Sequence, residues 1–307
     1  MLDLSVVILT HNEEKHIARG LAAIRSIAKE VFVIDSFSTD RTVELAEAAG
    51  AVVLKNKFVN YAKQFEWGLQ NAPITGTWVM RLDADEVIEP DLVAEIEAKL
   101  PTLGADVVGI NLKRKHIFMD RWIRHGGRYP LVLLRIWRQG HGRIESRWMD
   151  EHMITWGGRT VTLDGGFSDH NINDLTFFTE KHNKYATREA IDILNRKYNL
   201  FPMDEDLPSE AVSFQASFKR WMKEKVYNRL PLWAGPAGFF VYRYVFKLGF
   251  LDGQPGMIYH FLQGGWYRFL VGAKVVEYER ELVTCVSTED RLEKLEKLTG
   301  HRLRSAV

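Results

Sequence analysis

The sequence contains only one cysteine, Cys285, among 307 residues, and it therefore forms no internal disulfide. The N-terminus also lacks the basic and then apolar pattern of a secretory signal, so we expect the chain in a reducing cytoplasm. A formal net charge of +1 gives no indication of a nucleic-acid partner. No internal repeat or low-complexity tract is evident, and the composition is that of an ordinary globular protein.

Two common phosphate-binding motifs are missing as well. A dinucleotide-binding fold needs Gly-x-Gly-x-x-Gly after its first strand, but the first glycine here is Gly20, inside a predicted helix. The chain has no P-loop either. Any phosphate that binds must therefore be neutralised by other groups, such as a bound cation.

Short apolar runs alternate with segments of helical periodicity in the first 82 residues. Strands are predicted at 4–9, 31–34, 51–54 and 77–82, and helices at 17–24, 43–49 and 60–71. The apolar runs are nearly continuous, which is typical of strands that are buried on both faces. The pattern predicts an α/β fold, in which a sheet carries helices on its faces.

Polar residues follow three of these strands. They are Thr10, Asn12 and Glu13 after the first strand, Asp35 after the second, and Asp83 and Asp85 after the fourth. Each group alone can be a helix cap. Ligands of such sheets bind beyond the carboxyl ends of the strands, so three polar groups at one edge favour a ligand site.

The stretch Arg81-Leu82-Asp83-Ala84-Asp85-Glu86 places three acids in four positions directly after an apolar run. It can be a solvated turn that begins a helix, because acids suit helix N-termini. Alternatively, Asp83 and Asp85 share a divalent cation. A cation and a diphosphate between these acids and a leaving group would offset the repulsion between the carboxylates.

The sequence resembles the family 2 glycosyltransferases, whose catalytic domains have the GT-A fold. The resemblance covers roughly residues 4–175. It rests on four motifs in this order: Val-Val-Ile-Leu-Thr-His-Asn-Glu-Glu at 6–14, Val-Ile-Asp-Ser-Phe-Ser-Thr-Asp-Arg-Thr at 33–42, Leu-Asp-Ala-Asp-Glu at 82–86 and Met-Asp-Glu-His at 149–152.

The resemblance implies a nucleotide-sugar donor, a UDP-sugar, and it assigns residues to the parts of that donor. Those around the base and ribose are Thr10, Asn12, Glu13 and Asp35. Asp83, Ala84 and Asp85 form the DXD motif, whose acids hold Mg²⁺ or Mn²⁺ on the donor's diphosphate. Most members have two acids where this chain has Asp35 and Ser36, which leaves the contact with a uracil-type base to Asp35 alone.

Members of the family usually show Gln, a basic residue and Asn at the positions that correspond to 64–66. Gln64 keeps this pattern, whereas Phe65 and Glu66 break it. Lys63 either supplies the displaced positive charge to the donor or is a solvated helix lysine. The resemblance therefore adds Lys63 and Gln64 to the donor-binding residues.

Transfer of a sugar needs a base that deprotonates the acceptor hydroxyl as it attacks. A single in-line displacement inverts the anomeric centre, and the base then lies opposite the diphosphate. By resemblance, Glu151 occupies the position of the acid in the family's usual His-Glu pair, and we predict it as the base, with Asp150 as the second choice. The alternative for this stretch is a helix start or a surface turn.

Arg135 and His170 are further site candidates, each with an alternative. Arg135 interrupts a predicted strand and faces the diphosphate or the acceptor, or else it is an arginine on an edge strand. His170 precedes a predicted helix at 174–198. It is a third metal or phosphate ligand, or else a capping or surface group.

The second half of the chain differs in composition. Residues 199–210 are predicted as a linker and 214–226 as an aromatic, basic amphipathic helix. The apolar segments 230–246 and 257–276 are interrupted by charged or polar residues, and neither fits a bilayer-spanning helix of about 20 apolar residues. We expect a monotopic surface on anionic lipid at the cytoplasmic face of a bacterial inner membrane. The alternative is a helical subdomain or a homo-oligomer interface.

Three regions are therefore expected: a GT-A domain at 1–212, a helical membrane-associating region at 213–283 and a polar helical tail at 284–307. The leading hypothesis is an inverting, metal-dependent glycosyltransferase that extends a lipid-linked saccharide. The stretch Tyr-Arg-Tyr-Val-Phe-Lys-Leu-Gly-Phe-Leu-Asp-Gly at 242–253 resembles the tails of bacterial members that build lipopolysaccharide core or exopolysaccharide, which implies such an acceptor. One alternative, a sugar-1-phosphate nucleotidyltransferase, would need a Gly-rich basic loop after the first strand. The other, a non-catalytic membrane adaptor, would not need the acids at 83, 85 and 151.

Overall fold

The computed structural model describes residues 1–145, 152–201 and 231–303. The described residues form two compact units: the first comprises 1–145 and 152–173, and the second comprises 174–201 and 231–303. The expected boundary between 212 and 213 and the predicted helix at 214–226 lie outside the described residues.

The first unit is an α/β sheet structure. Its strands are β1 (Leu4–Thr10), β2 (Glu30–Asp35), β3 (Val52–Lys55), β4 (Trp78–Asp83), β5 (Glu86–Ile88), β6 (Val107–Phe118), β7 (Arg121–Trp122), β8 (Leu131–Arg138), β9 (Gly142–Ile144), β10 (Met153–Thr155) and β11 (Arg159–His170). Its helices are α1 (Ile17–Ile24), α2 (Thr42–Ala48), α3 (Tyr61–Asn71) and α4 (Pro90–Lys99), followed by a 3₁₀ turn at Leu100–Thr102. The four predicted strands and three predicted helices of the N-terminal part are confirmed, each within two residues.

Nine strands form one mixed sheet in the order β3-β2-β1-β4-β8-β6-β11-β5, with β7 paired to β6. The strands β3, β2, β1 and β4 run parallel. β8 is antiparallel to both of its neighbours, β4 and β6. β9 and β10 form a separate two-stranded sheet. The parallel part therefore brings the carboxyl ends of β1, β2 and β4 to one edge.

Two apolar clusters cover the faces of the parallel strands. Alternate residues of β1 belong to different clusters, because side chains alternate across a strand. Leu4, Val6 and Ile8 pack with α1 and α4, whereas Val7 packs with α3. The contact with α3 is close at Gly68, where a Cβ atom would lie 2.7 Å from Cγ1 of Ile34. Both faces are thus covered, which explains the nearly continuous apolar runs of these strands.

The second unit is helical. It contains α5 (Leu175–Tyr198), α6 (Ala234–Val241), α7 (Gly253–His260), α8 (Tyr267–Leu282) and α9 (Thr288–Thr299). Two π-helical segments, Tyr242–Phe246 and Phe261–Trp266, and a 3₁₀ turn, Gly249–Asp252, connect the middle helices. The predicted helix at 174–198 is confirmed, and Asp174 caps it by accepting a 2.8 Å hydrogen bond from the backbone N–H of Phe177.

The core of the second unit lies between α5, α8 and α9, and includes Leu194, Leu282 and Leu295. The predicted polar tail is helical at α9, and Leu292 and Leu295 of its apolar stripe are buried in this core. Among the described residues, no helix is both long enough and apolar enough to cross a membrane.

Candidate functional site

The predicted polar residues meet at the carboxyl edge of the parallel strands. Thr10 at the end of β1 lies opposite Asp35 at the end of β2, and the neighbouring Leu9 lies opposite Asp83 at the end of β4. This register follows from the parallel pairing of β1 with both of its neighbours. The expected ligand edge of the sheet is therefore present.

Asp35 is fully buried and organises the loop that follows β2. Its carboxylate accepts hydrogen bonds from the hydroxyl of Thr10 at 3.0 Å and from the backbone N–H of Ser38 at 2.8 Å. The hydroxyl of Ser38 donates a third hydrogen bond to the same carboxylate. A buried carboxylate with several donors holds a defined position.

Asn12 and Glu13 connect the loop after β1 to the segment after β2. The side-chain oxygen of Asn12 accepts a 2.8 Å hydrogen bond from the backbone N–H of Thr39. The backbone N–H of Glu13 donates to the hydroxyl of Thr42 at 2.7 Å. The side-chain carboxylate of Glu13 contacts Nδ1 of His16 at 2.6 Å. Asn12 and Glu13 thus link the loop after β1 to the segment after β2, next to Asp35.

Gln64 of α3 is buried and joins this edge from the other side. Its amide donates to the hydroxyl of Ser36 at 3.0 Å and accepts from the side chain of Asn56 at 2.9 Å. Lys63 lies in the first turn of the same helix and is partly exposed. Its backbone N–H donates to the capping side chain of Asn60 at 2.8 Å.

Asp83 lies in a buried cluster of charged and polar side chains. The hydroxyl of Tyr61 donates to its Oδ1, and the guanidinium of Arg135 donates to its Oδ2 at 3.3 Å. Nε of Arg81 lies 3.7 Å from Oδ1 and donates to Tyr61 at 3.1 Å. Burial opposes ionisation of Asp83, but the nearby arginines, Arg135 foremost, and the hydrogen bond from Tyr61 together outweigh it and hold the pKa of that carboxyl well below its usual range.

Glu86 is the second acid of this cluster. Arg135 donates to its Oε1, and the backbone N–H of Asp83 donates to its Oε2 at 3.0 Å. Burial raises the pKa of Glu86 above its ordinary value, although Arg135 opposes that shift. As the pH falls, Glu86 is therefore protonated before Asp83.

For Arg135 the alternative of an edge-strand position is wrong, because β8 is paired with β4 on one side and β6 on the other. Its side chain is 3% exposed and bridges Asp83 and Glu86. Arg135 thus lies behind the first acid of the DXD motif rather than at the surface.

Asp85, the second acid, is partly exposed in the turn that follows β4. Its Oδ2 accepts a 3.0 Å hydrogen bond from the side-chain amide of Asn171. The backbone N–H of His170 donates to the carbonyl of Asp85 at 3.0 Å. The ring Nε2 of His170 lies 3.1 Å from Oδ1 of Asp120.

The residues at this edge fit a divalent cation that keeps waters and substrate phosphates among its ligands. In the parts of the chain described, no group of three or more His, Cys, Asp or Glu side chains converges to enclose a metal ion. Mg²⁺ is instead bound through one or two carboxylates, with waters and substrate phosphates as further ligands. Asp85 fits such a site directly, whereas both oxygens of Asp83 already accept hydrogen bonds from Tyr61 and Arg135.

The two candidates for the base, Glu151 and Asp150, lie outside the described residues.

Several residues of the site were not predicted. Tyr61, Arg81 and Asn171 carry no motif that identifies them in the sequence, and Glu86 stood in the acid-rich stretch without a role. Strand register places Arg81 and Glu86, whereas Tyr61 lies on α3 and Asn171 follows β11, so no single local signal identifies the four.

Comparison with known proteins agrees with the sequence motifs. Residues 5–168 match the model of the family described as glycosyl transferase family 2. Over 97 residues the chain is 37% identical to an uncharacterized glycosyltransferase of Rickettsia typhi. The matched region is 32% of each chain. A similar protein of Rickettsia felis is 37% identical over 97 residues, or 32% of this chain and 34% of that one. The match thus spans about a third of the length of these curated relatives.

Among solved structures, the chain is similar to glucosyl-3-phosphoglycerate synthase from Mycobacterium tuberculosis, crystallised with Mn²⁺, UDP and glucosyl-3-phosphoglycerate. That likeness has 25% sequence identity and a TM-score of 0.31, and it covers 37% of this chain and 43% of the other. The family model matches more than half of the sequence, and the first unit has the mixed α/β sheet of a GT-A-like fold. The chain therefore belongs to glycosyl transferase family 2, a family of glycosyltransferases, as its sequence motifs implied.

Proposed function

We propose that this protein transfers a sugar from a nucleotide-diphosphate sugar, a UDP-sugar, to a lipid-linked saccharide, with inversion of the anomeric centre. The observation that carries the proposal is the meeting of Asp35 and the Asp83–Asp85 pair at one sheet edge. An edge with a base-binding side and a cation-binding side matches the two ends of a nucleotide diphosphate. Membership of the family supports the same reaction class.

On the donor side, Thr10, Asn12, Glu13 and Asp35 surround the base and ribose. Asp85 would hold Mg²⁺ or Mn²⁺, and such a cation would supply positive charge to offset the negative charge that develops on the leaving diphosphate. Asp83 lies two residues earlier, and its contacts with Tyr61 and Arg135 fix the end of β4. The backbone of His170 is hydrogen-bonded to that of Asp85, and we retain His170 as a candidate metal or phosphate ligand.

On the acceptor side, a carboxylate must accept the proton of the attacking hydroxyl. We assign this step to Glu151, with Asp150 as the second candidate. Both acids stand between apolar residues in the sequence, Trp148-Met149 before them and Met153-Ile154 after them. An apolar surrounding raises the pKa of a carboxylate towards the working pH, as a general base requires.

We also propose that the second unit binds a membrane of anionic lipid, at the cytoplasmic face of a bacterial inner membrane. The support is a surface of exposed apolar side chains in residues 241–251, which we call the apolar surface. It comprises Val241, Tyr242, Val245, Phe246, Leu248, Phe250 and Leu251, of which Phe246 is 74% exposed. Lys247 lies within it, with its ammonium 5.7 Å from the ring centre of Tyr242.

Apolar and cationic groups on one surface suit a lipid interface, because the apolar groups enter the acyl boundary while the cations meet anionic headgroups. A lipid-linked acceptor is available only at such an interface. The surface and the proposed acceptor are therefore consistent with each other. A second copy of the chain is the alternative occupant of the apolar surface.

The donor half of the proposal is tested with purified protein and a panel of nucleotide sugars in the presence of Mg²⁺ or Mn²⁺. We expect release of nucleoside diphosphate from one donor, and a loss of about 100-fold or more in Asp85→Ala, since the charge on the leaving group is then uncompensated. The matched control is Asp164→Ala, which removes an exposed acid of the same unit. Asp164 pairs with Lys113 at 2.7 Å and lies away from the edge, so its removal should leave the rate unchanged.

Two results would contradict the proposal. One is full activity in Asp85→Ala. The other is a wild-type protein that neither hydrolyses a nucleotide sugar nor binds UDP in the presence of Mn²⁺. Donor binding without hydrolysis would support the donor assignment and indicate that turnover needs the lipid-linked acceptor.

A further inference from the structure

The segment that follows β11 is fixed to the start of α1. β11 ends at His170, and the next three residues, 171–173, lie against the first turn of α1. Three side chains hold this segment: Lys15 donates to the side-chain oxygen of Asn173 at 3.1 Å, His16 contacts the backbone of Ile172 at 3.1 Å, and Arg19 donates to the carbonyl of His170. We call residues 171–173 the clamped segment.

His16 is the buried member of this set, with 1% of its surface exposed. Its Nε2 faces the backbone N–H of Ile172, which only donates, so Nε2 is the acceptor. The ring proton is therefore on Nδ1, which donates to Oε2 of Glu13 at 2.6 Å. Both ring nitrogens are thus satisfied in one tautomer, and the imidazole holds the clamped segment in one position.

Within the clamped segment, the orientation of Asn171 is also determined. Its Oδ1 accepts a 3.0 Å hydrogen bond from the backbone N–H of Asn173. The amide group is consequently turned so that Nδ2 donates to Oδ2 of Asp85 at 3.0 Å. A rotated amide would lose both hydrogen bonds, because it would place an oxygen against a carboxylate and an NH₂ against an N–H.

The two acids of the DXD motif are held by different kinds of side chain, and the cationic Arg19 also interacts electrostatically with Asp85. Asp83 is held by Arg135 and has Arg81 nearby, so its negative charge is already compensated. The side chain that orients Oδ2 of Asp85 is a neutral amide. A neutral donor fixes the direction of a carboxylate without cancelling its charge, as partners behind a metal ligand do.

We propose that Asn171 is a positioning residue for Asp85, and that His16 acts through the clamped segment to keep Asn171 in place. The inference rests on the proposed function, in which Asp85 holds the divalent cation. It assigns a metal-related role to two residues that do not themselves reach the cation. Removal of such an outer hydrogen bond costs about 10–100-fold in metal affinity in other proteins.

The test measures Mn²⁺ binding in the presence of UDP by electron paramagnetic resonance, with donor hydrolysis as a second readout. We expect Asn171→Ala to weaken Mn²⁺ binding by about 10–100-fold. The Mn²⁺ concentration for half-maximal hydrolysis should rise by the same factor, while kcat at saturating Mn²⁺ changes much less. This split distinguishes a positioning role from a general loss of structure.

Asn173→Ala is the matched control. It removes a side chain of the same segment that contacts Lys15, but it keeps the backbone N–H that orients Asn171. Its Mn²⁺ affinity should equal that of the wild type. His16→Ala should weaken Mn²⁺ binding in the same direction as Asn171→Ala, because the clamped segment loses its buried contact.

Equal Mn²⁺ affinity in Asn171→Ala and the wild type would overturn the inference and leave the proposed function intact. An equal loss in Asn171→Ala and Asn173→Ala would also overturn it, since the effect would then be structural. A wild-type protein that binds no Mn²⁺ in the presence of UDP would instead contradict the proposed function.

Discussion

Arg135 is in contact with two carboxyl groups whose pKa values shift in opposite directions. The pKa of Asp83 is lowered and that of Glu86 is raised, although the same guanidinium lies against both. Burial raises both pKa values, and for Asp83 the nearby arginines and the hydrogen bond from Tyr61 together outweigh burial. A buried cluster of this kind specifies geometry more than it adds stability, because desolvation offsets much of the attraction.

Glu30 gives a pH-dependent prediction at the scale of one residue. Burial raises its pKa, but hydrogen bonds from Ser5, Thr75 and Gly76 outweigh burial and hold the pKa below its ordinary value of 4.5. The carboxylate thus binds protons less readily in the folded than in the unfolded chain. Its stabilising contribution is present above about pH 4.5 and is lost as the pH falls through the folded-state pKa.

We therefore expect Glu30→Gln to lower the Tm at pH 7 by about 2–4 °C, and by progressively less as the pH falls below about 4.5. The measurement is thermal unfolding followed by circular dichroism across this pH range. Glu47→Gln is the control, since Glu47 is exposed on α2. A Tm difference between Glu30→Gln and wild type that stays constant from pH 7 to pH 4 would contradict the assignment.

At the scale of an element, the apolar surface is formed by a break in helical structure. After α6 the chain forms a π-helical segment and then a turn at Leu248, whose φ of +58° is left-handed. A left-handed residue ends a helix and redirects the chain. Apart from Val241, the last residue of α6, the exposed side chains at 241–251 therefore belong to a short non-α segment rather than to one face of a long helix.

The double variant Phe246→Ser with Leu251→Ser tests membrane binding by this segment. Each buried apolar side chain is worth about 1.5–3 kcal/mol, so we expect binding to fall at least about tenfold. The measurement is co-sedimentation with vesicles of phosphatidylglycerol and phosphatidylethanolamine. Val286→Ser is the control, because Val286 is 94% exposed but lies outside the apolar surface.

Vesicle binding that is unchanged in the double variant would contradict a lipid-binding role for the apolar surface. If the wild type forms a dimer and the double variant does not, the occupant is a second copy of the chain. Analytical ultracentrifugation without lipid distinguishes these outcomes.

At the scale of the whole molecule, the two units have separate apolar cores. The cores of the first unit consist of residues from β1–β11 and α1–α4, whereas Leu194, Leu282 and Leu295 belong to the core of the second. Contiguous cores are units of cooperative unfolding. A cavity in the core of the second unit should therefore lower the stability of α5, α8 and α9 more than that of the first unit.

Leu194→Ala is the corresponding variant, because Leu194 is fully buried. Loss of a buried leucine costs about 2–5 kcal/mol, so hydrogen-exchange protection should fall in α5, α8 and α9. Protection in β1–β4 should be retained, together with binding of UDP and Mn²⁺. Leu298→Ala on α9 is the control, since Leu298 is 39% exposed. Equal loss of protection in β1–β4 would contradict separate units.

The sequence determined the local elements and the order of the polar groups along the chain. Apolar runs, helical periodicity and capping residues act between near neighbours, so the strands β1–β4 and the helix at 174–198 were predicted within two residues. The motifs also identified the family and the sheet edge that carries Asp35, Asp83 and Asp85.

Only the tertiary structure decided which side chains surround those acids. Arg135 and Asp83 are 52 residues apart, and Asn171 and Asp85 are 86 apart, so their contacts depend on strand order and register. Periodicity does not specify that β8 inserts between β4 and β6, or that β11 pairs with β5. For this reason Arg135 was assigned to an edge strand as one alternative, and the roles of Asn171 and His16 followed from the folded chain alone.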